Sequence, residues 1–396
     1  MQCPFFDSLE DVPVQVVIAS EAKQSPSREL EIASSQRTLL AMTQHIIARW
    51  RAARKNLGSC FRLVRRGTCV IITAMFTNLR PKIIWSLAFA ALVYFALTLY
   101  ADAPKLADAL ARWDWQWLAF TLIAVLVNYG VRFLRWHYYL RVIGLHTVPP
   151  FSSLLIFLAG FSLTMVPGKL GELLKSVLLK SHYDVPISHS ASIVAAERLT
   201  DVIGMTLLAA IGVSIFPLGL PALIVTLSAL TGAIAVMQSR AIAERLLGLL
   251  ARVPGIGRFA NLARNLYESA YLMLRWRPLS IAVALSVIAW FGECVALFLI
   301  LRGFGLPETL DVLLAATFIY ASASLFGAAT FMPGGLGTTE GSMTSLLQLL
   351  VNASAPIAAA ATLLVRVCTL WLAIGLGALA LFIFERADKT APKIFS

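Results

Sequence analysis

The sequence predicts an all-α polytopic membrane protein, and three observations predict it. Of its 396 residues, 59% are hydrophobic and 14% are charged, against about 25% charged in an ordinary soluble domain. The apolar residues gather into long runs, several close to the ~20 that carry a helix across a bilayer. Two of those runs are cut by the same pair, Pro167-Gly168 and Pro333-Gly334, which breaks a helix without ending the apolar character around it. The formal charge of +12 does not point to nucleic acid. The basic residues lie between apolar runs rather than on one compact face, the placement of cytoplasmic loops that meet anionic headgroups.

The elements follow in order. A first span is predicted from about Ile83 to Tyr100, then a short mixed-charge loop with Asp102, Lys105, Asp108, Arg112 and Asp114. A second span covers Trp115 to Leu134 and ends in RFLRWHYYLR. These basic and aromatic residues suit a membrane interface, so Arg132 is read as a snorkelling interfacial charge, as is Lys180. An apolar run from Phe151 to Val166 is cut at Pro167-Gly168 and resumes as a shorter arm to about Lys180. A long span covers Ile187 to Ile215, and the turn PLGLP at 217–221 leads into a span ending near Met237. The interval 238–278 is the longest polar stretch of this part, with seven arginines against Glu244 and Glu268. Leu279 to Leu301 is the next span. The run from Val312 to Phe331 is cut at Pro333-Gly334, and a last span covers Pro356 to Phe384 before the basic residues Arg386, Lys389 and Lys393.

The excess of Lys and Arg on the cytoplasmic side places residues 132–141, the interval 238–278 and the C-terminus in the cytoplasm. Parity then gives six full spans plus two re-entrant broken-helix hairpins, or up to ten crossings if each hairpin arm crosses. The chain divides into a basic extension, 1–74, and a transmembrane domain, 75–385. Within that domain lie a first repeat at about 115–237, the cytoplasmic loop 238–278 and a second repeat at about 279–385. A basic tail, 386–396, follows. In the extension, VVIASEAKQS and LLAMTQ resemble the translation of a repetitive element of bacterial genomes, which makes Met75 the expected initiator. If residues 49–66 are translated, their arginines and lysine suit a basic helix lying on an anionic membrane surface.

The five cysteines and five histidines form no C-x-x-C and no H-E-x-x-H pattern, so neither a disulfide framework nor a metal site is expected. No G-x-x-x-x-G-K-[ST] loop occurs, and no cofactor is called for.

The chain resembles itself. TMVPGKLGELLKS at 164–176 parallels TFMPGGLGTTEGS at 330–342, with the shared core P-G-x-L-G at Pro167–Gly171 and Pro333–Gly337. Upstream, Arg141-Val-Ile-Gly-Leu parallels Arg302-Gly-Phe-Gly-Leu. Downstream, Arg198 and Arg366 align once Thr338 and Thr339 are allowed as an insertion. The predicted topology brings the two motifs in from opposite sides. Inverted repeats with broken helices at the midplane are a frequent plan of secondary transporters.

A charge inside a span is costly and marks function. The first hairpin carries Lys169, Glu172 and Lys175, spaced by three and so on one helical face. The following span carries Glu197, Arg198 and Asp201, and the second half contributes Glu293, Glu340 and Arg366. A polar cavity is expected, in which Arg198, Arg366 and Lys169 or Lys175 grip a lipid phosphate through charge-assisted hydrogen bonds. Glu172, Glu197, Asp201 and Glu340 balance them, bind an amino headgroup or carry a coupling proton. Helix-knitting ion pairs are the competing reading, most strongly for Asp201 and for Glu293, which has no partner in the repeat.

PGKLGE, ERLTD and PGGLGTTE together resemble the lysylphosphatidylglycerol synthase transmembrane family, also described as flippase-like, over about residues 80–385. In that family's longer members such a domain precedes a soluble aminoacyl-transferase domain and flips the modified phospholipid. This sequence ends at Ser396, so the resemblance implies the membrane part without the transferase. Stand-alone relatives linked to hopanoid metabolism extend the substrate class to other polar or isoprenoid lipids. The resemblance carries a role to Pro167, Gly168, Gly171, Glu172, Glu197, Arg198, Asp201, Pro333, Gly334, Gly335, Gly337 and Glu340. The expected function is lipid translocation in a bacterial inner membrane with the C-terminus cytoplasmic, not catalysis. Its partners are membrane lipids, with lipid-synthesis enzymes and a second copy of the chain as further candidates. Two alternatives remain at this stage. A membrane-embedded lipid-modifying enzyme would use the paired carboxylates for acid–base work. A non-transporting partner of a lipid or hopanoid biosynthesis complex would tolerate alanine at Arg198 or Arg366.

Overall fold

Long apolar runs become helices, and the breaks between them become caps. The computed structural model describes residues 81, 83–166, 172–213, 220–252, 260–330 and 332–390, which all belong to one unit of the chain, Thr68–Phe395. The extension 1–74, the first motif Pro167–Gly171 and residues 391–396 lie outside the described residues. Every regular element among those described is helical: α1 (Ile83–Tyr100), α2 (Ala103–Ala111), α3 (Trp117–Val142), α4 (Pro150–Ala159), α5 (Leu174–Tyr183), α6 (Ile187–Val213) and α7 (Leu220–Gln238). They are followed by α8 (Arg240–Arg252), α9 (Ala260–Met273), α10 (Trp276–Gly303), α11 (Leu310–Ala329), α12 (Thr338–Val351), α13 (Ala355–Arg366) and α14 (Leu372–Thr390). Short 3₁₀ turns follow α4 and precede α12, and a π-helical turn, Val367–Trp371, joins α13 to α14.

Among the described residues, five segments are long and apolar enough to cross a bilayer: α1, α3, α10, α11 and Ala355–Phe384, which joins α13 to most of α14. The protein is therefore an integral, multi-pass membrane protein. Helix α6 is long enough as well, at 27 residues, about 40 Å at 1.5 Å per residue. Glu197, Arg198 and Asp201 keep it from reading as a plain apolar span. Large apolar side chains such as Trp85, Phe95, Phe120, Ile123 and Phe382 stand more than half exposed on the outside, where lipid rather than water is the favourable neighbour.

The described residues of the polar interval 238–278 are mostly helical. They fold into α8 and α9, because their apolar residues recur every three or four positions and their arginines fall between them. α9 packs on α6 and ends in the buried Met273, with Leu274 buried just beyond it.

The two halves fold alike in detail. α3 and α10 both end on a glycine at positive φ, Gly144 (+83°) and Gly305 (+85°). In each the next residue's N–H bonds back to the helix, Leu145 to Leu140 O and Leu306 to Leu301 O, a glycine-terminated cap that closes the last turn. α5 and α12 both stop on a left-handed residue, Asp184 and Asn352. With Gly144 laid on Gly305, Asn128 falls on Ala289, and in space these two touch: Asn128 Nδ2 donates to Ala289 O at 2.7 Å. Gly292 lies against Ala124, and Asp114 N bonds Gly303 O at the far end. The equivalent helices α3 and α10 therefore run antiparallel and cross near equivalent residues.

Packing is reciprocal. α4 lies on α14, the helix that follows Arg366 in the second half, and α11 lies on α6, the helix that carries Arg198 in the first. One apolar core joins α3, α4, α5 and α14; another joins α10, α11, α12, α13 and the C-terminal part of α6. Glycine permits both crossings. A Cβ on Gly377 would stand 2.4 Å from Ser162 N, and one on Gly212 2.4 Å from Phe318 Cβ.

Candidate functional site

A cavity of about 150 Å³ lies between the halves. Its lining draws on equivalent residues from both: Tyr129 and Trp290, Arg132 and Glu293, Arg198 and Arg366, Met205 and Ala373. Broken helices frame it. Phe161 and Thr164 come from the 3₁₀ turn after α4 and just beyond it, Thr369 and Leu370 from the π turn after Arg366. Such π insertions are common where a helix must re-aim its side chains.

The second P-G-x-L-G motif is a tight turn feeding α12. Gly334, Gly335 and Gly337 all have positive φ (60°, 70° and 81°), a run that side-chain-bearing residues resist. A Cβ on Gly335 would also meet Thr339 Oγ1 at 2.6 Å. Glu340 sits in the first turn of α12 and accepts from Gly337 N at 2.7 Å, satisfying a free N–H where the helix dipole favours a carboxylate. Arg366 then binds both parts, with Nε to Glu340 Oε1 at 2.6 Å and Nη2 to Gly334 O at 2.7 Å.

The first half repeats the pairing. Glu172, at the position of Glu340, meets Arg198, at the position of Arg366, with 3.2 Å between Oε2 and Nε. Arg198 also reaches Asp201 at 2.9 Å. Of the residues singled out from the sequence, Glu172, Arg198, Glu293, Gly334, Gly335 and Arg366 line the cavity. Asp201 lies deeper, held by Arg135 at 2.7 Å and accepting from Trp290 Nε1 and Ser286 Oγ. Glu340 is buried beneath Arg366, and Pro333 and Gly337 shape the turn. Lys175 and Glu197 pair with each other at 2.6 Å, with Lys175 Nζ 4.4 Å from the centre of the Trp136 ring. They are not part of the cavity lining. Pro167, Gly168, Lys169 and Gly171 fall outside the described residues.

Two arginines in RFLRWHYYLR turn inward rather than outward. α3 continues unbroken to Val142, so Arg132 and Arg135 lie two to three turns inside it. They face inward: Arg132 lines the cavity and Arg135 is 1% exposed on Asp201. Arg141 alone of these arginines is exposed. Glu293, which had no like residue in the repeat, stands at the position of Arg132 and accepts a 2.5 Å hydrogen bond from Tyr320. Carrying the Arg141/Arg302 match nine residues upstream would have paired Arg132 with Glu293. The match of residue types was the wrong signal there; the match of positions was the right one.

On the other side of α11 lies a second, apolar cavity of about 500 Å³, bounded by α6, α7, α11 and α12 and lined by residues such as Val213, Leu223, Phe318 and Leu346.

Known proteins share sequence with most of this helical region. Residues 83–377 match the family model described as "Lysylphosphatidylglycerol synthase TM region". Two proteins of Methanothermobacter thermautotrophicus, each named "UPF0104 membrane protein", are 24% identical over 321 and 325 residues. The alignments cover 74% and 76% of this chain and 90% and 95% of those relatives.

Proposed function

The chain belongs to the lysylphosphatidylglycerol synthase TM region family, and from that premise we propose that it moves a polar lipid between the two leaflets of its membrane. The observation that carries this reading is the cavity between the halves, lined by equivalent residues of each. In this reading the halves are repeats inverted across the membrane. The antiparallel crossing of α3 and α10 near Asn128 and Ala289 supports that view. α4 and α5, with ten residues each, span about 15 Å apiece and are the arms of a re-entrant hairpin rather than full crossings.

The headgroup enters the polar cavity, where arginines recognise its phosphate. The hydrocarbon chains stay in the bilayer or in the apolar cavity behind α11. Rocking of one half against the other changes which leaflet the cavity faces. The excess of arginine and lysine in segment 238–278 and in the tail supports a cytoplasmic side for both, in a bacterial inner membrane.

The test is lipid translocation in proteoliposomes with headgroup-labelled anionic, zwitterionic and isoprenoid lipids. One lipid class is expected to cross quickly, and both Arg198→Ala and Arg366→Ala are expected to slow it. Folded protein that moves no label above empty vesicles sinks the reading. Movement unaffected in both variants removes the arginines from it.

A further inference from the structure

We propose that Arg132 and Glu293 are the working charges of the cavity: Arg132 receives the phosphate of an anionic lipid while Glu293 takes up a proton, so that one proton travels with each headgroup. This rests on lipid translocation as the function and adds to it the ion that drives it.

The inference starts from which charges are already engaged. Glu172, Glu197, Asp201 and Glu340 each hold a cation within 2.6 to 3.2 Å. Glu293 does not. It is 4% exposed, lines the cavity, and its side chain is held by the Tyr320 hydroxyl at 2.5 Å. Arg132 is its counterpart. Arg198 and Arg366 reach the cavity with a carboxylate already bound, whereas Arg132 has no ion pair among the described residues. Its Nε is buried with no hydrogen-bond partner, and its guanidinium carbon lies 5.3 Å from the Phe161 ring centre and 5.6 Å from that of Trp290. Aromatic faces hold a guanidinium in place without using its N–H donors in the plane. Those donors remain free for an anion.

Charge balance supplies the coupling. The four paired carboxylates are matched by the four cations that hold them, and Arg132 offsets Glu293, so the described residues leave the empty cavity neutral. A phosphodiester brings one negative charge. A net charge in a low-dielectric site is expensive, and buried carboxyl groups relieve it by taking a proton. Glu293 is the group able to do so, because protonating any of the other four would strand its cation. Arg132 and Tyr129 of α3, Arg198 and Asp201 of α6, Tyr320 of α11 and Arg366 of α13 face it, and of these cations Arg132 is the one not already held. When the lipid leaves, Glu293 releases the proton to water and again offsets Arg132.

The experiment uses the full chain in phosphatidylcholine vesicles with a trace of phosphatidylethanolamine labelled on its headgroup amine, which leaves the phosphate as its one charge. With the membrane potential clamped at zero, a pH difference is imposed. Label is expected to accumulate in the leaflet facing the alkaline compartment, up to about tenfold per pH unit for one proton per lipid. At equal pH, an imposed potential is expected to produce no such bias. Glu293→Gln keeps the size and an acceptor for Tyr320, and is expected to lose the bias, so that whatever label still crosses divides equally. Arg132→Gln is expected to slow the crossing itself. Wild-type movement without a pH bias, or a bias that follows potential instead, overturns the coupling while leaving translocation intact. A bias that survives Glu293→Gln overturns the assignment of that residue, and wild-type speed in Arg132→Gln does so for the arginine. If no label moves at all, translocation fails and the coupling falls with it.

Discussion

The first half of the molecule ties its helices with buried ion pairs where the second half uses uncharged side chains. Lys175 and Glu197 hold α5 to α6 at 2.6 Å. At the equivalent positions stand Met343 and Val365, both fully buried in one apolar cluster. Arg135 and Asp201 join α3 to α6 at 2.7 Å, and their counterparts are Ala296 and Thr369. What the halves keep in common is the pair on the cavity wall, Glu172 with Arg198 and Glu340 with Arg366. The difference separates two roles that composition alone runs together. Charges present in both halves belong to the shared working geometry. Charges present in one half are one of two available ways to join the same helices. A well-packed apolar pair does that job about as well as a buried ion pair, since desolvation offsets most of the Coulomb gain.

The largest effect expected from this comparison comes from breaking one of the unshared pairs by half. Glu197→Val leaves the Lys175 ammonium, 4% exposed, with the Trp136 face and no carboxylate. Removing one partner of such a pair costs about 3–5 kcal/mol, which thermal unfolding in detergent would register as a large drop or as failure to fold. The double variant Lys175→Met/Glu197→Val installs the second half's solution, and most of the lost stability is expected to return. A double variant no better than the single one would show that the two halves are not interchangeable at this joint.

Smaller effects are expected where backbones meet. Gly377→Ala puts a methyl group against Ser162 N, Leu158 O and the carbonyl carbon of Phe161, all main-chain atoms that cannot turn aside. For Gly212→Ala the three nearest atoms all belong to the Phe318 side chain, whose ring can move but whose Cβ cannot. Overpacking of this kind costs about 1–3 kcal/mol. Gly377→Ala is expected at the upper end and Gly212→Ala below it, and the ranking can be read from their unfolding temperatures. The reverse order would mean that α4 and its 3₁₀ turn shift on α14 more easily than α11 shifts on α6.

The sequence showed the membrane class, most helices and the internal match, because runs of apolar residues and Pro-Gly breaks are local signals. It also aligned Arg198 with Arg366, but their pairing with Glu172 and Glu340 came from the fold, since those partners lie 26 residues away along the chain. Arg132 and Arg135 were lost for a physical reason. A basic, aromatic stretch at the end of an apolar run looks the same whether the helix stops at Leu134 or continues to Val142, and only continuation turns those arginines inward. The helices of 238–278 were hidden by their charge, which says where a segment lies relative to the membrane and nothing about its backbone. The pairing of Lys175 with Glu197 needed the third dimension, because residues 22 apart in sequence carry no spacing rule.

The finest test of the comparison lies in the pair that both halves share. Arg366 is clamped at 2.6 Å to Glu340 and 2.7 Å to the Gly334 carbonyl, with its side chain 10% exposed. Arg198 holds Glu172 at 3.2 Å and Asp201 at 2.9 Å, with 26% of its side chain exposed. A lysine is a single point charge and cannot reproduce the two directed hydrogen bonds that Arg366 makes from its planar fork. At 366 it leaves either Glu340 or the glycine turn without its donor in a buried place, a loss of about 1–3 kcal/mol. At 198 water can fill part of the gap, so the stability loss is expected to be smaller. Lipid translocation, in contrast, is expected to fall in both, because each arginine presents its remaining donors to the same cavity. Arg198→Lys should therefore separate the two properties, keeping near-native unfolding while slowing translocation, and Arg366→Lys should lose both together. Equal stability losses at the two positions would show that the looser geometry of Arg198 has no energetic meaning.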